Sequence, residues 1–247
     1  MTLRVDLNAD VGEGMGDDAA LLDIVTSANI ACGLHAGDAR TMADTVDLCL
    51  ARGVAIGAHP SFDDREGFGR RDMTVSPEAA RALVLRQIET LAAITGAAGA
   101  RLKHVKPHGA LYNMAARDPN LAKAIAAAVR EFDASLLLVG LAGSALVSAG
   151  ESAGLRVASE AFADRAYRND GTLVPRSQPG AVIEDAALAV ARALDMITTS
   201  TVRSIDGETV ALRAETICVH GDTPGAAAMA GVLRAALQRA GVMVSPP

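Results

Sequence analysis

Tryptophan is absent from the 247 residues, and two tyrosines and four phenylalanines bring the aromatic content to only 2%. A core must therefore be built from Ala, Val, Leu and Ile. Little is left to stack on bases or sugar rings, which argues against nucleic-acid and carbohydrate platforms. Positive charge is also scarce: 23 Lys and Arg against 29 Asp and Glu leave a net charge of −6, a poor match to a phosphate backbone. The three cysteines, Cys32, Cys49 and Cys218, have neither CxxC spacing nor an even count, so neither a zinc knuckle nor a disulfide framework is expected. No apolar run reaches ~18 residues, and the N-terminus passes straight into a strand-like segment. The expectation is a soluble cytoplasmic protein with no nucleic-acid and no membrane partner.

Familiar catalytic signatures are missing as well. There is no G-x-x-x-x-G-K-[ST] loop, and Gly12-Glu13-Gly14-Met15-Gly16-Asp17 carries carboxylates where phosphates would need neutralising. Any nucleotide must be held another way. H-E-x-x-H does not occur, and the single G-x-S-x-G match, Gly150-Glu151-Ser152-Ala153-Gly154, ends a helical pattern and does not form a strand-to-helix elbow, which leaves serine-hydrolase and zincin readings with little support.

What is present is alternation. Strand-like runs at 3–7, 28–32, 54–58, 102–106, 135–139, 156–159 and 216–220 are followed by helical patterns at 17–25, 41–51, 76–96, 120–132, 144–152, 180–197 and 224–240. Ser76-Pro77-Glu78 reads as an N-cap, a proline in the first turn and an acidic helix start. Residues 201–212 are left over as a hairpin around Asp206-Gly207. Such a series implies a mostly parallel sheet covered by helices, either closed or open and doubly wound. The closed form is favoured, so the expected fold is α/β: one domain over 1–247, an irregular seven-stranded β/α barrel of the TIM-barrel type.

The ionisable residues sit at or just past the C-terminal ends of these strands. Alternation puts Asp6, Asn8 and Asp10 on one face of the first strand, ahead of Glu13. The second leads through Asn29 to His35, the third ends at His59, and the fourth carries His104, Lys106 and His108. Glu160, Arg165 and Arg176 follow the sixth, and His220 and Asp222 follow the last. Barrel topology would bring these separate segments to one face, as in an active site. Blander readings stand beside this one. Asp6, Asn8 and Asp10 could satisfy their own loop, and His104 could be a core residue. Arg165 and Arg176 suit either the surface or a substrate carboxylate. The segment Gly67-Phe68-Gly69-Arg70-Arg71 fits a lid, an anion-binding turn or an interface. A divalent metal in the barrel is possible, but spacing does not identify its ligands and none is assigned.

Ordered blocks along nearly the whole chain carry a family resemblance. They are Asp6-Leu7-Asn8-Ala9-Asp10-Val11-Gly12-Glu13, Ser27-Ala28-Asn29-Ile30-Ala31-Cys32-Gly33-Leu34-His35-Ala36-Gly37-Asp38, Ile56-Gly57-Ala58-His59-Pro60 and Gly67-Phe68-Gly69-Arg70-Arg71. They continue with His104-Val105-Lys106-Pro107-His108-Gly109-Ala110-Leu111-Tyr112-Asn113, Phe162-Ala163-Asp164-Arg165, Tyr167 and Ile217-Cys218-Val219-His220-Gly221-Asp222. The chain resembles the LamB/YcsF family, the A subunit of bacterial ATP-dependent 5-oxoprolinase. Departures are mild: Ala9 where Cys is usual, Leu34 for Phe, Ser61-Phe62-Asp63-Asp64 for a Gly-Tyr-Pro run, and Glu215 for Asp.

The resemblance implies a barrel related to the glycoside hydrolase/deacetylase superfamily and a cytoplasmic subunit working with two partner subunits, B and C. It implies opening of the lactam of 5-oxo-L-proline to L-glutamate at the expense of ATP, with Mg accompanying the nucleotide. On the strand-end cluster, Lys106 and His108 would stabilise charge on oxygen, and Asp10 or His59 would handle the water or the ring-nitrogen proton. Glu160, His35 and His220 would orient them, while Arg165 or Arg176 would hold the substrate carboxylate. Asp6, Asn8, Glu13, Asn29 and Asp222 are further substrate-binding candidates. Two alternatives stay open: a metal-dependent deacetylase or amidohydrolase acting alone, and a non-catalytic substrate-binding scaffold.

Overall fold

In the computed structural model, which describes residues 3–15, 17–219 and 225–247, the first strand is β1 (Arg4–Val11). It is followed by α1 (Asp18–Leu22), β2 (Ser27–Ala31), α2 (Ala39–Arg52), β3 (Ala55–His59) and the long α3 (Pro77–Ala97). Next come β4 (His104–Val105), α4 (Gly109–Ala115), α5 (Pro119–Phe132), β5 (Leu137–Leu141), α6 (Ala145–Ser152) and β6 (Arg156–Phe162). The chain ends through α7 (Ala186–Thr198), β7 (Thr201–Arg203), β8 (Thr209–Ala211), β9 (Thr216–Val219), α8 (Ala226–Arg239) and β10 (Met243–Val244).

β1 to β6 pair in chain order, all parallel, and β9 pairs with both β6 and β1, which closes a seven-stranded barrel. The closing register runs from Asp6 opposite Thr216 to Ala9 opposite Val219. β7 and β8 form the antiparallel hairpin expected around Asp206-Gly207 and stand apart from the barrel. Helix starts follow local chemistry. The Ser76 hydroxyl accepts from the Ala79 N–H ahead of Pro77, and Asp38, Asp118, Ser144 and Asp185 cap their helices in the same way. Each such cap is worth about 1 kcal/mol. Among the described residues no helix is long and apolar enough to cross a membrane.

Several elements differ from the sequence expectation. α4 occupies a stretch to which the sequence reading assigned no element, between the strand at 102–106 and the helix at 120–132, because its opening His108-Gly109 carries no capping side chain. α7 begins at Ala186 rather than 180, since Asp185 supplies the first cap oxygen. β6 runs on to Phe162, which takes Glu160 into the strand, and β10 adds a short parallel pair beside the start of β1.

The two faces of β1 have opposite characters. Leu7, Ala9 and Val11 enter the apolar layer between barrel and helices, together with Leu22, Val46, Ile88 and Leu233. Asp6, Asn8 and Asp10 face the barrel interior, where most such barrels stack branched aliphatic side chains. Gly57 on β3 makes room for that polar interior. A Cβ there would lie 2.1 Å from His104 Nε2, whose ring crosses the glycine to reach Asn29. Gly57→Ala is therefore expected to lower stability by about 1–3 kcal/mol through overpacking. Urea unfolding checks it, with Gly96→Ala, in open space on α3, as the control expected to be neutral or stabilising.

Candidate active site

The interior polar groups stack in three levels along β1. At the bottom, Asp6 accepts hydrogen bonds from the hydroxyls of Thr26 (2.6 Å), Ser27 (2.8 Å) and Thr216 (2.6 Å). Burial outweighs those bonds and raises the Asp6 carboxyl above its ordinary range. In the middle, Asn8 Nδ2 donates to Thr216 Oγ1 (2.7 Å) and Glu160 Oε1 (3.0 Å), and Asn8 Oδ1 accepts from Asn29 Nδ2 (2.8 Å). Asn29 also donates to Asp10 Oδ1 (2.8 Å), and its own oxygen accepts from His104 Nε2 (2.8 Å).

The top level is built around Lys106. Its ammonium, 2% exposed as a residue, lies 2.9 Å from Asp10 Oδ1 and 2.8 Å from Glu160 Oε1, with a longer bond of 3.2 Å to Asn8 Oδ1. The Cys218 sulfur is 3.1 Å away, and the Phe162 ring lies beneath the ammonium at 5.6 Å. Burial works against this charge, but Asp10 and Glu160 prevail and hold the ammonium well above its ordinary pKa. Lys106 is thus a permanent cation at working pH. It can stabilise negative charge, but it is not a nucleophile or a base.

Three imidazoles surround the upper end of Asp10. His59 Nε2 is 3.3 Å from Asp10 Oδ2, and His108 Nδ1 is 3.0 Å from His59 Nε2. His35 stacks on His108 with ring centroids 3.9 Å apart, and its Nε2 is 3.1 Å from Glu13 Oε1. Phe68, at φ 53° in the left-handed region, turns its carbonyl onto His108 Nε2 (2.9 Å) and its ring against both His35 and His108. The 67–71 loop therefore clamps the imidazoles in place.

Their protonation preferences diverge. Burial opposes a charged His59, but Asp10 and Glu13 outweigh it and move the ring upward. Burial and the charge of His59 push His108 well below 6.5 and bring His35 to about 3. His104 is lowered to about 3 by burial and by Lys106. One histidine favours its proton and its neighbour refuses it, as in acid–base pairs. Burial raises the thiols of Cys32, to about 12, and Cys218, so neither behaves as a thiolate.

A cavity of about 580 Å³ opens above this floor. Asp10, Glu13, His59, Lys106, His108, Arg165 and Arg176 line it, whereas Asp6, Asn8, Asn29, His35 and Glu160 lie behind the lining. Arg165 already donates to the carbonyls of Val174 (2.6 Å) and Ala181 (3.4 Å), and burial together with Arg176 brings it down to about 10. His220 and Asp222 lie outside the described residues. The structure adds lining groups the sequence reading passed over, Tyr112, one turn beyond His108 on α4, and the rim arginines Arg117 and Arg168, and it brings Arg70 of the 67–71 segment to the same rim. Spacing on α4 would have found Tyr112 had that helix been recognised. No periodicity marks the rim arginines, which come from loops.

The family model described as LamB/YcsF matches residues 5–247. The chain belongs to the LamB/YcsF family. A protein from Methylococcus capsulatus, named as the A subunit of 5-oxoprolinase, is 56% identical over 99% of this chain and 96% of its own length. A lactam utilization protein from Thermus thermophilus is 48% identical and superposes with a TM-score of 0.92, covering 98% of this chain and 99% of that one. At the level of fold alone, a peptidoglycan deacetylase from Bacillus subtilis matches with a TM-score of 0.51 at 11% identity, covering 99% of this chain and 87% of that one.

For this LamB/YcsF chain the histidines set a pH dependence of stability. His35, His104 and His108 have folded pKa values below the ordinary 6.5, so the unfolded chain binds more protons once the pH falls past that point. Their stabilisation is present above pH 6.5 and is lost as the pH falls towards about 3. His59 works in the opposite direction: its contribution is present below pH 6.5 and is lost as the pH rises through its elevated folded value. Among the described histidines three act against one, which predicts a urea midpoint that falls between pH 7.5 and 5. A flat midpoint over that range would contradict the assignment.

Proposed function

We propose that this chain is the subunit of an ATP-dependent 5-oxoprolinase that opens the lactam of 5-oxo-L-proline to give L-glutamate. Nearly full-length similarity to proteins named as the A subunit of 5-oxoprolinase, and to one named a lactam utilization protein, supports the substrate class. The observation in the site that carries the reading is Lys106, a buried permanent cation held by two carboxylates on the floor of a cavity with arginines at its mouth.

An unactivated lactam is a poor electrophile, which is the chemical reason for ATP. Transfer of the γ-phosphoryl group of ATP-Mg to the lactam oxygen releases ADP and gives the ring carbon a leaving group. One water then adds to that carbon, the carbon–nitrogen bond breaks as the nitrogen takes a proton, and a second water hydrolyses the resulting γ-glutamyl phosphate to glutamate and phosphate. Lys106 is placed to offset charge on the lactam oxygen through both activation and attack. Asp10 and the His59–His108 pair are placed to take the proton from water and deliver one to the ring nitrogen. Arg165 and Arg176, which both line the cavity, suit the substrate carboxylate. Two further subunits complete the assembly in this reading, and the nucleotide reaches the site without a phosphate-binding loop in this chain.

Glutamate release from 5-oxo-L-proline tests the proposal, using this chain with and without its two partner subunits and with and without ATP-Mg. Release is expected only in the complete mixture. Lys106→Met in that mixture should lower the rate by about 10²–10³-fold or more. Near-normal activity of Lys106→Met would remove its assigned role, and ATP-independent release by the chain alone would overturn the coupling.

A further inference from the structure

The imidazole cluster raises a question of its own: what lies between the nitrogens that face each other. His59 Nδ1 is 2.7 Å from the Lys106 carbonyl, and His108 Nε2 is 2.9 Å from the Phe68 carbonyl. A carbonyl only accepts, so these two nitrogens carry the ring hydrogens. The remaining nitrogens, His59 Nε2 and His108 Nδ1, face each other at 3.0 Å, and the only proton between them is the one His59 retains beside Asp10. Glu13 Oε1 completes a triangle with them, 3.4 Å from His108 Nδ1 and 4.0 Å from His59 Nε2. With that proton displaced, two lone pairs and a carboxylate oxygen at these distances can ligate one cation.

We propose that Glu13, His59 and His108 bind one divalent transition-metal ion of the zinc class, with its remaining side open to the cavity. Ligand atoms about 2.1 Å from a tetrahedral ion are about 3.4 Å from one another, and the three observed separations bracket that value. The two rings are nearly perpendicular, at 83°, so their in-plane lone pairs can converge on a point. Each ligand imidazole is anchored through its other nitrogen by a backbone carbonyl, the arrangement that orients metal-bound histidine. Two imidazoles and one carboxylate suit zinc, cobalt or manganese better than magnesium or calcium.

His35 belongs to the cluster without sharing the ion. Its ring is parallel to that of His108 within 6°, so its lone pair runs alongside that of His108 instead of meeting it, and the residue does not line the cavity. Held by Ser61 at 2.9 Å and set 3.1 Å from Glu13 Oε1, His35 is a positioning residue for the carboxylate. All three ligand residues do line the cavity. An ion there would supply a Lewis acid beside Lys106 and, by occupying the facing nitrogens of His59 and His108, would leave proton transfer to Asp10; that use rests on the lactam reading above.

The test uses the full chain after chelator treatment and dialysis, with no ATP, lactam or partner present. Titration with Co²⁺ is followed by visible absorption and titration with Zn²⁺ by calorimetry. One ion per chain is expected, with a Co²⁺ band in the visible region. Glu13→Gln and His108→Gln should each weaken binding at least about tenfold, and Arg168→Ala at the rim should leave it unchanged. Circular dichroism and melting check each variant, and Glu13→Gln carries the test if His108→Gln fails to fold. No uptake of either ion, or uptake unaltered by the ligand substitutions, would overturn the site. Glutamate is not read in this experiment, so failure of the metal site and failure of the lactam reading are separately visible.

Discussion

The ion pairs of the Lys106 ammonium with Asp10 and Glu160 are the constraint on which the barrel interior depends. Taking three charges out of water costs several kcal/mol per ion, and only short contacts plus satisfied remaining lone pairs offset that cost. The surrounding residues supply those bonds. Asn8 bridges Lys106, Glu160 and Thr216, Asn29 ties Asn8 to Asp10, and His104 fixes the Asn29 amide. Each of these residues comes from a different strand or a different position on β1. The network therefore sets strand register as well as chemistry, since a one-residue slip would send the polar face of β1 into the apolar layer.

The same charge organises the titration of its neighbours. Asp10 shares its two oxygens between Lys106 and His59, which keeps His59 inclined to hold a proton while His108 and His35 resist one. A cavity floor results with one permanent cation, one proton-retaining imidazole and one proton-refusing imidazole within a few ångströms. Hydrolytic opening of an activated lactam needs this combination: charge neutralised on oxygen, a proton accepted from water and a proton delivered to nitrogen.

Much of this was legible in the sequence because two periodicities carry it. Alternation along β1 puts Asp6, Asn8 and Asp10 on one face, and the barrel topology inferred from seven strand–helix steps gathers the strand ends, so His59, Lys106 and His108 meet as expected. The levels within the cluster were not legible. Asp6, Asn8 and Asn29 differ from Asp10 only by depth along the strands, and depth depends on how neighbouring strands are staggered. Glu160 reads as a residue beyond its strand but lies inside β6, because the polar barrel interior accepts a carboxylate that a strand pattern would reject. The carbonyl partners that fix the tautomers of His59 and His108 are backbone atoms and leave no trace in residue type.

The most direct test of the central claim is a crystal structure of this chain with 5-oxo-L-proline bound. The account predicts the lactam on the cavity floor, its carbonyl oxygen within about 4 Å of Lys106 Nζ, where an ammonium's attraction is strongest. Its ring nitrogen should face the His59–His108 pair, and its carboxylate the arginines at the mouth. A lactam seated away from the floor, with Lys106 out of reach of its oxygen, would contradict the account.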